Sequence, residues 1–549
     1  MTSYLEKVPR DVLHHIVYLG AASAVLQPPS ALFNLLQTSS TLRQALSLQS
    51  CPHLYASIYR TRFDRGSQSH SGSTPLANLL VHRYWALQCV RRCDFSQEFL
   101  WWDLRTLLHM VVENEGMNAM HLQEADLTNF VIAYIRQRYS GMFTTDTHRD
   151  ASSNDVDSLS IWLLCFNLSR SDILNTREEI RQEILSFLRP FTLSMSTTVN
   201  TLSPCFLNPS FQRVIPGSDG PCGVSTHSQQ EILRDRCRGW LMGLAPCPRP
   251  TSAAITLTFA LTEVVPLAIP QHLPETRAIA NATQRSGPTM EDMQAISDYR
   301  TPLFADSRMT SAQPSKPVKD TAVDNRDGRD PGFARMLQAS GDLLSGEGFC
   351  YVPGQMSGLW EGNYKVATFL PPPINPSNSK ENALEFVCTK PMQWYIREYL
   401  CFEPDSMLPN GEKGWDIDPS ALHEIEDGFE WCSQKFRYER IGASSSGVPS
   451  ICQSSGPLVD VVIVGETLEG HEQAWGGFRF AGRIRSDGSI SFKREPKSGN
   501  DDESGTWLYE GHLRYGAAFV GRWRTSPSSD NCGVQGIFSM HKTGNTWKQ

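Results

Sequence analysis

The sequence predicts a multidomain α + β protein, with an N-terminal all-α block followed by a C-terminal antiparallel β-barrel. Three observations predict this fold class. Apolar residues recur at helical spacing through roughly the first 190 residues. Beyond about residue 345 the apolar pattern changes to a period of two. Between these regions, residues 271–335 are polar and proline-bearing, which is typical of a connector.

The composition excludes several classes of protein. The 549 residues allow roughly two to four domains. A net charge of −8 gives no basic field that would attract phosphate backbones, so we expect no nucleic acid partner. The 14 cysteines form no Cys-x-x-Cys pair, and we expect no metal and no cofactor.

Neither a secretory signal nor a membrane span is expected. The N-terminus lacks a small-residue cleavage site, and the most apolar later run is interrupted by Glu263 and Pro266. We therefore expect no membrane partner and a cytoplasmic or nuclear location, or both, with reduced thiols.

Four parts follow in chain order. Residues 1–66 form short helices, because Val12, Leu13, Ile16 and Leu19 recur at helical spacing after Pro9. Residues 67–215 continue as amphipathic helices that act as a spacer. Residues 216–345 are predicted to be a partly disordered linker with a possible buried strand near 252–270, and residues 346–549 to be the barrel.

Eight stretches in the last part alternate like strands and follow one another as a meander: 359–366, 429–441, 458–468, 475–485, 489–495, 506–515, 518–524 and 534–542. A glycine lies between apolar residues on the inner face of several of them, as in Trp360, Gly362 and Tyr364. A missing side chain there permits tight coiling, which indicates a closed or nearly closed barrel. The bulky inner residues Phe480, Tyr509 and Trp523 favour a filled interior.

The other face of these strands is predicted to be solvated, because it carries mostly charged residues: Arg479, Arg483, Arg485, Glu510, His512, Arg514, Arg522 and Arg524.

The first 60 residues or so resemble an F-box. The matching positions are Val8, Pro9, Val12, Leu13, Ile16, Leu19, Pro29, Leu32, Leu42, Leu54 and Tyr55. Val8 stands where the family usually has leucine, and the residues GAASAVLQ lengthen the first loop.

This resemblance implies a non-catalytic substrate receptor of an SCF-type cullin ubiquitin ligase. The listed positions would bind a Skp-type adaptor, which links the receptor to a cullin scaffold, and the module after the F-box would select a target protein whose identity the sequence does not give. A helical segment this short can barely cover its own apolar faces, and a surplus patch ordinarily marks an interface. Alternatively, these helices simply cap the helical block.

The C-terminal run from Val464 to Pro496, with residues 507–524, looks like the barrel region that accompanies F-boxes in a group of fungal proteins. Gly358 and Trp360, with Arg522 or Arg524, are similar to the Gly-x-Trp and arginine pairing of calycin barrels, in which the guanidinium covers the indole. The resemblance therefore implies a calycin-like meander.

Two groups of barrel residues are candidates for binding the target. His471 and Trp475 precede a strand, in what we expect to be a connecting loop, where recognition residues tend to lie. Arg483, Arg485, Arg522 and Arg524 would receive an acidic or phosphorylated segment. The alternatives are a loop anchored by one tryptophan and a solvated outer face.

No motif for catalysis is found, and we name no catalytic residue. The rival interpretation is a small-molecule-binding or enzymatic barrel with an N-terminal helical interaction region, and it predicts an open apolar cavity with convergent polar groups. A third is an F-box protein that works outside a ligase.

Overall fold

The computed structural model describes residues 4–23, 26–64, 72–95, 100–142, 151–193, 249–306, 351–368, 385–409, 417–441, 458–485, 488–497, 505–514, 517–525 and 534–543. The chain divides into two compact units. We call them the helical unit, whose described residues end at Asn167, and the barrel unit, whose described residues are 168–193 and all those from Arg249 onward.

The described part of the helical unit begins with a short 3₁₀ turn, Tyr4–Lys7, and continues with α1 Arg10–Ala22, α2 Ser30–Thr38, α3 Ser40–Leu46, α4 Pro52–Arg62, α5 Ser73–Arg92, α6 Leu100–Val112, α7 Met117–Glu124, α8 Leu127–Met142 and α9 Ala151–Asn167. The predicted all-α N-terminal block is confirmed.

A buried polar network joins α4 to α7. Arg83 forms an ion pair with Glu113 at 2.7 Å and also donates to the side chain of Asn118 at 3.1 Å. The Asp64 carboxylate, just after α4, accepts from the backbone N–H groups of Glu115 and Asn118, both at 2.8 Å. Each buried charge therefore has a partner, which is the condition for tolerating it in a core.

The barrel unit contains helices as well as strands. They are α10 Arg170–Asn175, α11 Glu178–Leu193, α12 Thr251–Thr262, α13 Arg277–Ala282, α14 Met290–Asp298 and α15 Glu469–Trp475. The strands are β1 Gly358–Thr368, β2 Glu385–Cys401, β3 Leu422–Ile425, β4 Gly428–Trp431, β5 Gln434–Arg437, β6 Glu439–Arg440, β7 Asp460–Glu466, β8 Phe478–Ile484, β9 Ser489–Pro496, β10 Trp507–Arg514, β11 Ala518–Thr525 and β12 Gln535–Lys542.

Eight antiparallel strands close into a barrel. The order is β1-β12-β11-β10-β9-β8-β7-β2, and pairing of β1 with β2 closes the ring. Between β2 and β7 the chain forms a separate sheet, β3-β4-β5, and the short β6, which pairs with β2. The predicted antiparallel barrel is confirmed.

Aromatic side chains fill the barrel. Trp394 lies at the centre, with ring centroids 4.8 Å from Phe492, 5.4 Å from Tyr509 and 5.7 Å from Phe538. The large apolar residues predicted on the inner face, among them Trp360, Tyr364, Phe480, Tyr509 and Trp523, belong to this core. A void beside Trp394 measures about 10 Å³, no more than the smallest cavity that holds one water molecule.

Two expectations for the linker and the helical spacer need correction. The expected strand near 252–270 is helix α12, whose residues 252–261 are buried on every side. A short, uniformly apolar run has no periodicity that could separate a buried strand from a buried helix. Helices α10 to α14, which we assigned to the spacer and the linker, belong to the barrel unit. Residues 216–248 and 307–345 lie outside the described residues.

Two strand expectations also need correction. Strand β2, the longest, was not among the predicted strands because Pro391 interrupts its alternation; the proline is tolerated opposite Asn363 of β1. The stretch 429–441 is not a barrel strand, because a turn at Cys432 and Ser433 folds it into the β4-β5 hairpin.

Candidate functional site

Helix α1 is apolar on two sides. One side, Leu13, Val17 and Ala21, packs into the core at 3% exposure or less. Val12, Ile16 and Leu19 leave 45%, 46% and 55% of their surfaces exposed. Their spacing of four and then three residues places them on one stripe of the helix. We call these three residues the α1 face.

Helix α2 shows the same division. Leu32 is buried, whereas the adjacent Phe33 is 54% exposed. The two helices pack closely where Gly20 meets Ala31, because a Cβ on Gly20 would lie 3.1 Å from that of Ala31. Exposed large apolar residues on consecutive helices are the feature that marks an interaction surface.

The remaining F-box-like positions have a different place. Leu13, Leu32, Leu42, Leu54 and Tyr55 are buried, and so is Pro29. The Tyr55 hydroxyl donates to the carbonyl of Leu46 at 2.8 Å, and the Ser39 side chain caps α3. Val8 is half-buried and Pro9 is exposed just before α1. Most of the predicted adaptor-binding residues thus build the core that presents the α1 face.

A histidine pair joins α1 to α4 on the side of α1 away from the α1 face. The His14 and His53 rings approach each other, with Nδ1 of His14 3.2 Å from Nε2 of His53. Burial, followed by the neighbouring His53, lowers the pKa of His14, so His14 is uncharged at neutral pH.

In the barrel unit, His471 and Trp475 lie on a helix, α15, and not in an irregular loop as expected. Both are half-buried. Burial lowers the pKa of His471 to about 4, against the opposing effect of Asp292 on α14. A neutral, half-buried imidazole is more typical of a side chain packed between helices than of a residue that binds a partner.

The four candidate arginines do not form one cluster. Arg483 is 5% exposed, and its Nε lies 3.4 Å from the Asp460 carboxylate, which also accepts from the Tyr438 hydroxyl at 2.6 Å. Arg485 is half-buried and Arg524 is exposed.

Arg522 holds the end of α11. Its Nε donates to the carbonyl of Thr192 at 2.6 Å and its Nη2 to that of Phe191 at 3.0 Å. Burial lowers the pKa of Arg522 to about 10. The expectation of a solvated outer face is therefore wrong for Arg483, Arg514 and Arg522, because helices and the β3-β5 sheet cover parts of the barrel wall.

The expected arginine cover over Trp360 is absent from the described residues that surround it. Arg522 points outward to α11, whereas Trp360 faces the barrel core and donates from Nε1 to the carbonyl of Met356 at 2.7 Å. The segment from Tyr351 to Ser357 closes this end of the barrel.

A buried carboxylate that was not predicted from the sequence fixes that closing segment. Glu398 is fully buried and accepts from the N–H groups of Gly354 at 2.7 Å and Ser357 at 2.5 Å. Burial raises its pKa. The available signal was a charged residue at an inward position of β2, between Ile396 and Leu400.

Other kinds of site find no support within the described residues. No three histidine, cysteine or acidic side chains among them are placed to share a metal ion. None of the described helices combines the length and the apolar character that a membrane span requires.

Comparison of the chain with protein-family models, with curated proteins and with solved structures finds no match in any of the three. Any functional conclusion therefore depends on the residues themselves.

Proposed function

We propose that this protein is the substrate-recognition subunit of an SCF-type cullin-RING ubiquitin ligase, which binds a Skp-type adaptor through α1 to α4 and a target protein through the barrel unit. The observation that carries the proposal is the α1 face: Val12, Ile16 and Leu19 are about half exposed on one stripe of an otherwise well-packed helix. The F-box-like pattern of the sequence supplies the identity of the partner.

Energetics supports an interface at the α1 face. Burial of apolar surface contributes roughly 25 cal/mol per Å², so leaving three large aliphatic side chains in water forgoes free energy that a partner can recover. The buried positions of the same pattern, such as Leu13 and Leu32, keep α1 and α2 in place. A rigid apolar stripe is well suited to docking against a second helical protein.

A receptor of this kind needs no catalytic group. Holding a target near a charged ubiquitin-conjugating enzyme raises its effective concentration, and the other subunits supply the chemistry. What the receptor needs is two interfaces on stable folded units. The filled barrel interior favours recognition on the outside of the barrel and argues against a central substrate cavity.

The test is co-purification of the full chain with a Skp-type adaptor and a cullin. The variant is Val12→Glu with Ile16→Glu, because both side chains are exposed and glutamate is a good helix former. We expect adaptor binding to fall by at least about tenfold, since two charges would be desolvated at the interface. Met120→Glu is the matched control, because Met120 is 49% exposed on α7 of the same unit.

Circular dichroism of all three proteins excludes unfolding as the cause. Leu13 and Leu32 are unsuitable for this purpose because both are in the core. Equal binding by the wild type and the folded double variant would remove the α1 face from the proposal. Adaptor binding without recruitment of the cullin would place the protein outside a ligase.

A further inference from the structure

A guanidinium group lies inside one end of the barrel. Strand β9 alternates, so that Ile490 and Phe492 belong to the barrel core and Arg494 follows them on the inward side. Arg494 is 4% exposed. It pairs with Phe480 of β8 and Trp507 of β10, at the end opposite the one that Tyr351–Ser357 closes.

Two aromatic rings hold this guanidinium between them. Its carbon lies 3.6 Å from the ring centroid of Trp507 and 3.8 Å from that of Phe478. Trp507 stacks in turn on Trp523 at 4.1 Å, and Tyr364 meets both indoles edge-on at 5.4 Å. Stacking on both faces fixes the plane of the guanidinium and leaves only its edge for hydrogen bonds.

Among the described residues, no carboxylate pairs with Arg494. Its Nε has no hydrogen-bond acceptor, and the polar groups that face the guanidinium are the phenols of Tyr509 and Tyr364. Burial raises the pKa of Tyr364 to about 12 and that of Tyr509 further, so both phenols are neutral at neutral pH. By contrast, buried Arg83 has Glu113 and buried Arg483 has Asp460.

An unneutralised buried cation is costly. Removing an ion from water carries a large desolvation penalty, which cation–π contacts offset only in part. The same burial lowers the pKa of Arg494. An anion at the edge of the guanidinium would neutralise this buried charge. The planar guanidinium can donate two parallel hydrogen bonds to the two oxygens of one carboxylate.

We propose that this end of the barrel is a binding site for the carboxylate of a small organic acid with an apolar, preferably aromatic, body. The two carboxylate oxygens accept hydrogen bonds from the guanidinium edge of Arg494, and the apolar part of the acid contacts the aromatic rings at this end of the barrel. The filled interior keeps the ligand at this end of the barrel. This inference does not rest on adaptor binding, because the α1 face belongs to the other unit.

The test uses the full chain, with benzoate as the probe and benzamide as a neutral ligand of the same shape. Binding is followed by calorimetry and by tryptophan fluorescence, since Trp507 stacks on the guanidinium. We expect the wild type to bind benzoate and to bind benzamide at least about tenfold more weakly, because a charge-assisted bidentate pair is lost.

Arg494→Gln should weaken benzoate binding by at least about tenfold, whereas Arg479→Gln, which alters an exposed arginine on the neighbouring strand β8, should leave it unchanged. Arg494→Met serves as a second variant. It should fold at least as well as the wild type, since an apolar residue in place of a buried charge is often neutral or stabilising. It should bind no benzoate.

Four results would overturn the proposal. One is no binding of benzoate by the wild type at millimolar concentration, and another is equal binding by the wild type and Arg494→Gln. The third is binding that appears only after Asp501, Asp502 and Glu503, which precede β10 in the sequence, are made neutral, since the chain would then supply its own anion. A peptide with a free C-terminal phenylalanine that binds where benzoate does not would refute the assignment to small acids.

Discussion

Helix α1 and the barrel interior use their large apolar side chains in opposite ways. In the helical unit, α1 leaves Val12, Ile16 and Leu19 about half exposed. In the barrel unit, Trp360, Trp394 and Trp523 are at most 2% exposed and belong to one hydrophobic core. Apolar surface left in water lowers stability unless a partner covers it, whereas apolar surface buried inside the barrel contributes to folding directly. The α1 face is therefore apolar surface that a partner could cover, whereas the barrel interior is already covered by its own strands.

The largest effect is expected when the central side chain of the barrel core is removed. Trp394→Ala removes the ring at the centre of the core, which contacts Phe492, Tyr509 and Phe538. We expect the barrel unit to lose about 3–5 kcal/mol, the usual cost of a large-to-small change in a packed core. Hydrogen exchange of the strands, read peptide by peptide, measures the loss in this unit alone.

The matched change in the helical unit is Val12→Ala. Because Val12 is exposed, its truncation should alter stability by no more than about 0.5 kcal/mol. A large effect of Val12→Ala on α1 exchange, or a small one of Trp394→Ala on the strands, would show that the two units do not differ in this way.

A second prediction concerns how tightly the barrel strands approach one another. A Cβ on Gly482 of β8 would lie 2.1 Å from the carbonyl oxygen of Ser491 and 2.4 Å from the Cα of Phe492 on β9. Both of these are backbone atoms of β9, so β8 and β9 would have to move apart. We expect Gly482→Ala to cost about 1–3 kcal/mol or more by overpacking, measured by the same exchange experiment.

Gly470→Ala is its control. Gly470 lies in helix α15, and an added Cβ there meets no atom within 4 Å. Alanine is the better helix former by about 1 kcal/mol, so this change should be neutral or slightly stabilising. If both glycine variants behave alike, close approach of the strands is not the reason for Gly482.

These glycines also show how much of the barrel could be predicted from the sequence. A side-chain period of two places every second residue on the same face, so the inner residues of β8 and β10 could be assigned correctly without knowing strand order. Strand β2 could not, because Pro391 conceals the alternation that Trp394 and Ile396 continue.

The alternation of residues along a strand does not show which other elements cover the outer wall of the barrel, because that depends on the tertiary structure. Arg479 and Arg522 have the same pattern in the sequence, yet Arg479 is exposed and Arg522 holds the end of α11. The α1 face shows another limit of the sequence pattern. The F-box-like positions fall on or beside helices α1 to α4, but the pattern did not separate buried Leu13 from exposed Val12, because both belong to the apolar pattern of one amphipathic helix.

The smallest expected effect is a pH dependence in the helical unit. His121 is fully buried, its Nε2 donates to the carbonyl of Arg62 at 2.9 Å, and its ring stacks on Phe63 at 4.4 Å. Burial lowers the pKa of His121 to about 4, from an ordinary value of 6.5. Between these values the unfolded chain binds a proton that the folded chain does not, so stability is complete above about pH 6.5 and is lost as the pH falls towards 4.

Lowering the pH from about 7 to about 5 should therefore destabilise α7 by about 1–2 kcal/mol through this residue, measured by hydrogen exchange of the peptide that contains it. His121→Gln retains a donor for the Arg62 carbonyl but cannot take up the proton, so it should remove that part of the dependence. His15→Gln, at an exposed position of α1, should leave it intact. Unchanged pH dependence in His121→Gln would mean that a second histidine of this unit, His109, whose pKa burial lowers to about 3, dominates the acid response of the helical unit.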